Sequence, residues 1–154
     1  RGPDIAALAA GLPVARRSAG QEAGPDVAVY VAATLGELGL FYRLARVALI
    51  GGSLVPHGGQ NPLEAARLGC PILIGPHHFN FSEIIARLRK ADALVETPDG
   101  PDAAAGLAAQ ATRFLSDAAA GQGMAGAAAR LAQDQADLPE RIATSLLPLI
   151  RPAR

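Results

Sequence analysis

Short apolar runs and amphipathic stretches alternate along the first two thirds of the chain. The runs at 27–33 and 47–52 predict buried strands, the first of them rich in β-branched residues, and further strands are predicted over residues 14–18, 71–75 and 93–97. Between these runs the apolar residues recur with helical spacing, which predicts helices over residues 3–13, 35–45, 61–69 and 81–92. The alternating order predicts an α/β fold, with a parallel sheet covered by helices on both faces.

The composition changes after residue 100, where the chain becomes rich in alanine. Residues 102–117 and 124–150 are predicted to form helices, with no further strand. We therefore predict a strand-and-helix domain over residues 1–100, and helices within residues 101–154 that pack on the same domain.

Composition and charge exclude several classes of protein. A chain of 154 residues, half of them hydrophobic, is long enough for one folded domain with its own core. Its 14 basic and 14 acidic residues balance, so we expect no nucleic-acid partner. The single cysteine, Cys70, lies in an apolar segment and indicates a reducing compartment and a buried structural thiol. No apolar run is long enough to span a membrane, and no signal peptide opens the chain.

Two glycine pairs stand close together in the stretch GGSLVPHGGQNPLEAA. Because glycine has no Cβ, Gly51-Gly52 and Gly58-Gly59 can bring main-chain N–H groups close to a ligand. The stretch follows a predicted strand, and ligands of open α/β sheets bind at the carboxyl ends of the strands. The pattern predicts an anion-binding loop, and its position favours a nucleotide.

A predicted helix starts directly after the second glycine pair. Asn61 suits the N-cap position, Pro62 the first helical position, and Glu64 follows the cap by three residues. Free N–H groups at such a start attract a phosphate. The same residues also form an adequate capping box, in which Glu64 only returns to the Asn61 backbone. From the residues alone, both interpretations stay open.

The stretches TLGELGLFY, GGSLVPHGGQNPLEAA and GPHHFNFSEI resemble the C-terminal domain of the bacterial 3-deoxy-D-manno-octulosonic acid (Kdo) transferases of lipid A biosynthesis. The resemblance covers about residues 1–97. It implies a Rossmann-like domain, the C-terminal half of a GT-B glycosyltransferase, which holds the CMP part of the CMP-Kdo donor. It also implies a second domain that carries the general base and the surface for the lipid acceptor.

The resemblance implies a set of nucleotide-binding residues: Leu35, Gly36, Glu37, Gly51, Gly52, Ser53, Asn61, Pro62, Leu63 and Glu64. It places Glu64 at the ribose, where a carboxylate can accept hydrogen bonds from two vicinal hydroxyls. Without the resemblance, Glu37 is equally well a solvated charge at a helix start. The resemblance adds further donor contacts through His57, Gly58, Gly59 and His77.

The three histidines, His57, His77 and His78, do not predict a metal site, because two are adjacent and no carboxylate repeats at ligand spacing. We expect no metal and no cofactor besides the donor substrate. Phe79 and Phe81 are predicted to anchor the following helix in the core.

Some positions differ from the family pattern. Ala33 stands where the family often has an acidic residue, Gln60 where histidine is common, and Cys70 where a basic residue is frequent. The family also has a Pro-Arg pair near the nucleotide, which we expect upstream of Arg1, together with its strand.

The expected function is inverting transfer of Kdo from CMP-Kdo to a lipid A precursor in lipopolysaccharide biosynthesis, at the cytoplasmic face of the bacterial inner membrane. We expect this chain to be a fragment that binds the donor and, without the base, transfers nothing by itself. Two alternatives remain: the donor domain of another GT-B glycosyltransferase that uses a UDP-sugar, and a nucleotide-binding domain without catalysis.

Overall fold

A computed structural model describes residues 7–9, 11–117, 119–134 and 138–150. The chain forms two compact units, Arg1–Leu38 and Gly39–Arg154, each with a parallel sheet of its own. None of the described helices is long and apolar enough to span a bilayer.

The first unit contains a pair of short parallel strands. Strand β1 (Val14–Arg16) pairs with β2 (Val29–Val31), with Val14 opposite Val29. Both lie within predicted strands, which are confirmed but shorter than expected. The reason at β1 is the 3-10 turn Arg17–Ala19, which ends at Gly20 in the left-handed region with φ of 71°. Of the helix predicted over residues 3–13, residues 3–6 and 10 lie outside the described residues; residues 7 and 8 are helical, and residues 11–13 are not.

The second unit contains a three-stranded parallel sheet in the order β3-β4-β5. Its strands are β3 (Ala48–Ile50), β4 (Ile72–Ile74) and β5 (Val95–Glu96). All three residues of the central strand are buried, as its continuous apolar run predicts. Strands β3 and β4 pair in parallel, as the predicted parallel sheet requires, whereas β2 pairs with β1 in a separate two-stranded sheet rather than in the same one.

The helices follow the predicted order, but most are shorter than predicted. They are α1 (Leu38–Leu44), α2 (Leu63–Arg67), α3 (Ser82–Lys90), α4 (Ala103–Ser116), α5 (Gln122–Gln133) and α6 (Leu138–Leu146). The single helix predicted over residues 124–150 is therefore wrong. The chain forms α5 and α6 instead, and Pro139 suits the first turn of the second helix.

Alanine packs the tail of the chain onto the core of the second unit. Ala65 and Ala66 of α2, and Ala128 and Ala132 of α5, are all completely buried. Small side chains let the two helices approach closely, and their contact is the most extensive between any two described elements. Phe114 of α4 is buried as well. Helices α4 and α5 thus belong to the same compact unit as the three-stranded sheet.

Candidate functional site

The loops that leave the carboxyl ends of β3, β4 and β5 form one edge of the second unit. The β3 loop consists of residues 51–61, the β4 loop of residues 75–81 and the β5 loop of residues 97–99, and together they include most of the residues singled out in the sequence. The strands are parallel, so their carboxyl ends meet at the same edge, where open α/β sheets bind ligands.

Ser53 connects the first two of these loops. Its hydroxyl donates to the carbonyl of Ile50 at 2.5 Å and accepts from the N–H of Gly75 at 2.9 Å. Its own carbonyl accepts from the N–H of His77 at 2.9 Å. Ser53 is completely buried. The side chain therefore positions the loop rather than facing a ligand in this conformation.

The two glycine pairs have different surroundings. A Cβ on Gly58, with φ of 96°, would lie 2.2 Å from Asn80 Nδ2, and one on Gly59 would lie 3.3 Å from His78 Cα. Both residues are buried beneath the loop of residues 77–80. In contrast, Gly51 is exposed, and a Cβ there would meet open space. The pair at 58–59 thus serves close packing, and Gly51 is the glycine that offers exposed backbone.

The start of α2 differs by one residue from the prediction. The Asn61 side chain accepts the Leu63 N–H at 3.0 Å, but the first helical carbonyl is that of Pro62, which accepts from Ala66 at 3.0 Å. Pro62 thus takes the cap position, and Glu64 follows it by two residues. The predicted capping box does not form, because Glu64 no longer has the spacing that reaches back to the cap N–H.

The Glu64 side chain is exposed and accepts no hydrogen bond from any residue that the structure describes. Its charge acts on Tyr42 of α1: the pKa of the Tyr42 hydroxyl is raised, first by burial and then by the Glu64 carboxylate. The carboxylate lies near Tyr42, and no described residue donates a hydrogen bond to its acceptor positions.

Carboxylates face the histidines of the β4 loop. His77 Nε2 lies 3.6 Å from Asp99 Oδ1, and His78 Nε2 lies 3.2 Å from Glu96 Oε1. Glu96 also forms an ion pair with Arg89. His57, on the β3 loop, is exposed and packs against Gly52. Within the described ranges, no three His, Cys, Asp or Glu side chains come together as a metal site would require.

A cavity of about 510 Å³ opens between the starts of α2 and α3. It is lined by Leu63, Asn80, Phe81, Ser82, Glu83, Ile84 and Arg87. Phe81 packs against the core, as predicted. The prediction for Phe79 is wrong: its side chain is 62% exposed, because it lies over Gly58 at the surface of the loop.

In the first unit, residues 35–37 lie between β2 and α1. Leu35 is fully exposed, and Gly36 has φ of 83°, a backbone conformation that favours glycine. Both Glu37 oxygens accept from the Arg17 guanidinium, and one also accepts from the Thr34 hydroxyl. These donors, Arg17 before Thr34, hold the pKa of Glu37 below its ordinary value.

The sequence does not predict Arg17 as a partner of Glu37, and the structure shows the pairing. One signal for it was present. Arg17 directly follows β1, and Glu37 follows β2, so the carboxyl ends of two parallel strands bring them to the same edge.

Known proteins similar to this chain include two curated 3-deoxy-D-manno-octulosonic acid transferases. The chain is 47% identical over 92 residues to that of Bordetella pertussis, and 39% identical over 88 residues to that of Haemophilus influenzae. The matches cover 59% and 57% of this chain. They span only 22% and 21% of the two relatives, about a fifth of their length. No protein-family model matches the chain.

A solved structure matches a larger part of the fold. It is the crystal structure of the C-terminal CMP-Kdo binding domain of WaaA from Acinetobacter baumannii, with a TM-score of 0.79 and 31% sequence identity. The match covers 86% of this chain and 68% of that one. The fold is that of the C-terminal domain of a GT-B glycosyltransferase. The chain therefore belongs to the family of 3-deoxy-D-manno-octulosonic acid transferases, as a counterpart of their C-terminal domain.

Proposed function

We propose that this chain binds CMP-Kdo as the donor domain of a Kdo transferase. The observation that carries the proposal is the match to the CMP-Kdo binding domain of WaaA, at a TM-score of 0.79 with 31% identity. At the carboxyl edge of the second unit's sheet, the exposed backbone of Gly51 supports it, as does the Glu64 carboxylate, which has no hydrogen-bond partner among the described residues.

In the second unit, we assign the phosphate to the backbone of Gly51 and Gly52 and to the loop that leads into α2. N–H groups of the backbone stabilise a phosphate without a metal. Helix α2 has only five residues, so its dipole adds little beyond the N–H groups themselves. Asn61 and Pro62 shape this helix start, and Ser53 holds the loop from below.

The Glu64 carboxylate is assigned to the ribose. Its oxygens take no donor from the described residues, so two vicinal hydroxyls can donate to them. Leu63, whose N–H is held by Asn61, supports the same contact. In the first unit, we assign the nucleotide contact to residues 35–37, of which Glu37 supplies the polar group.

The histidines of the edge complete the assignment. His57 is exposed and can donate to the phosphate or to the Kdo carboxylate. His77, beside Asp99, has a carboxylate neighbour that can fix the orientation of its ring. Gly58 and Gly59 act indirectly, because they let the loop of residues 77–80 lie close to the β3 loop.

The complete reaction belongs to the longer protein. We propose inverting transfer of Kdo to a lipid A precursor, at the cytoplasmic face of the bacterial inner membrane, with the general base outside this chain. The names of the curated relatives support the transfer. This chain alone should bind the donor without transferring Kdo.

Thermal unfolding with added nucleotide tests the donor assignment. If the dissociation constant for CMP is about 1 mM, then 10 mM CMP stabilises the fold by about 1.4 kcal/mol and raises Tm by roughly 3–5 °C. UDP at the same concentration and ionic strength should raise it less. A larger shift with UDP supports the alternative of a UDP-sugar donor, and no shift with either nucleotide contradicts nucleotide binding.

A further inference from the structure

Arg17 binds the Glu37 carboxylate in a two-pronged arrangement. Arg17 Nε donates to Oε2 of Glu37, and Arg17 Nη2 donates to Oε1. This is the fork geometry in which a planar guanidinium matches a carboxylate, and a lysine cannot reproduce it. The third nitrogen of Arg17 donates to the Tyr30 hydroxyl at 3.4 Å, and that hydroxyl donates to the Gln21 carbonyl at 3.2 Å. Arg17 is therefore itself held in place.

The hydrogen bonds of Glu37 leave one acceptor position open. An ionised carboxylate has about four lone-pair positions. Among the described residues, Oε2 accepts from Arg17 and from the Thr34 hydroxyl, and Oε1 accepts from Arg17 alone. The open position is on Oε1, so the carboxylate can accept one further hydroxyl or amino group in a fixed direction.

The charge of Arg17 matters for an anionic ligand. An unpaired carboxylate beside a nucleotide would repel its phosphate, whereas a carboxylate paired with a guanidinium belongs to a group with no net charge. The pair is partly solvent-accessible, with side-chain exposures of 41% for Arg17 and 26% for Glu37. Exposed ion pairs contribute little to folding, so stability alone does not account for the arrangement.

We propose that Arg17 is a positioning residue for nucleotide binding: it orients Glu37 to accept one hydrogen bond from the ligand and neutralises its charge toward the phosphate. The proposal rests on the proposed function, in which Glu37 contacts the nucleotide. Arg17 acts through Glu37 and need not touch the ligand.

A double-mutant cycle tests this dependence, with CMP affinity followed by backbone amide NMR shifts. Arg17→Gln and Glu37→Gln should each weaken CMP binding on the order of tenfold, as the loss of one charge-assisted hydrogen bond does. The double variant should bind CMP with no lower affinity than the single variant that binds it less tightly, because Arg17 acts only through Glu37. Arg16→Gln removes the same charge one residue earlier and should change the affinity less than twofold.

Two further measurements separate positioning from a general effect on the fold. The side-chain carboxyl carbon of Glu37 should titrate at higher pH in Arg17→Gln than in the wild type, because the stabilising guanidinium is gone. Arg17→Lys keeps the charge but loses the fork, so it should recover part of the CMP affinity. Arg17→Gln should reduce the affinity for cytidine, which lacks the phosphate, less than it reduces the affinity for CMP.

The outcomes distinguish the two proposals. Additive losses in the double variant, or unchanged affinity in Arg17→Gln while CMP still shifts the amides of residues 51–53, overturn the role of Arg17 and leave the donor site intact. A wild-type chain that does not bind CMP overturns the proposed function, and the role of Arg17 with it.

Discussion

At the scale of single residues, the exposed carboxylate of Glu64 separates a binding role from a capping role. Glu64 has no hydrogen-bond partner among the described residues, and the predicted capping box does not form. We expect Glu64→Ala to change the free energy of unfolding by less than about 0.5 kcal/mol, as exposed substitutions do. CMP binding should weaken by roughly 1–3 kcal/mol through lost ribose hydrogen bonds.

Urea unfolding and a CMP titration on the same variant measure both quantities. Glu64→Gln is the matched control: it keeps the size of the side chain and should retain part of the affinity. If Glu64→Ala loses about 1 kcal/mol of stability and keeps its CMP affinity, the role of Glu64 is structural and the binding role is contradicted.

Residue identity predicts some of the hydrogen bonds at the candidate site and not others. Asn61 was expected to accept a helix-start N–H, and it does. Ser53 was expected at the phosphate, but its hydroxyl is used between Ile50 and Gly75. The sequence does not show this, because both partners depend on how two loops meet in space. The pairing of Arg17 with Glu37 was missed for the same reason.

At the scale of elements, the β3 loop offers two glycines with opposite roles. Gly58→Ala should lower the free energy of unfolding by about 1–3 kcal/mol, because the new Cβ collides with Asn80 and the residue has a positive φ. Gly51→Ala should leave stability nearly unchanged, since its Cβ meets open space. If the backbone there approaches the phosphate, this second variant should nevertheless bind CMP more weakly.

Thermal unfolding and CMP titration of the two variants provide the check. Equal stabilities would contradict the packing of Gly58 beneath residues 77–80. Normal CMP binding by Gly51→Ala would show that the ligand does not approach that residue.

The alternation of apolar runs predicts every described strand and most helices, because buried strands and the buried faces of helices each have a characteristic local spacing of apolar residues. Element ends were less well predicted. The predicted strand at 14–18 stops at Arg16, where a 3-10 turn starts, and the predicted helix at 61–69 begins only at Leu63. The pairing of β2 with β1 in a sheet of its own is a long-range property that periodicity does not encode.

At the scale of the whole molecule, stability should fall above neutral pH. Burial raises the pKa of the Cys70 thiol, and burial and Glu64 raise the pKa of Tyr42. As pH rises through about 8.5 and then 10, the unfolded chain releases these protons before the folded chain does, so the free energy of unfolding decreases. Urea unfolding at pH 7, 9 and 10.5 measures the decrease.

Cys70→Ala and Tyr42→Phe assign this pH dependence to the two groups. In Cys70→Ala the decrease near pH 8.5 should be smaller, and in Tyr42→Phe the decrease near pH 10 should be smaller, relative to each variant's own stability at pH 7. A wild-type stability that does not change between pH 7 and 10.5 would contradict the raised pKa values.

The most direct test of the central claim is a titration of CMP into the labelled wild-type chain, followed by backbone amide NMR shifts. We predict saturable binding with a dissociation constant on the order of 1 mM, since a one-sided site leaves much of the ligand exposed. The largest shifts should fall on residues 35–37, 51–53 and 58–63. Saturable shifts confined to other parts of the chain, or no shifts at these residues at 10 mM CMP, would contradict the assignment of this chain as a CMP-Kdo donor domain.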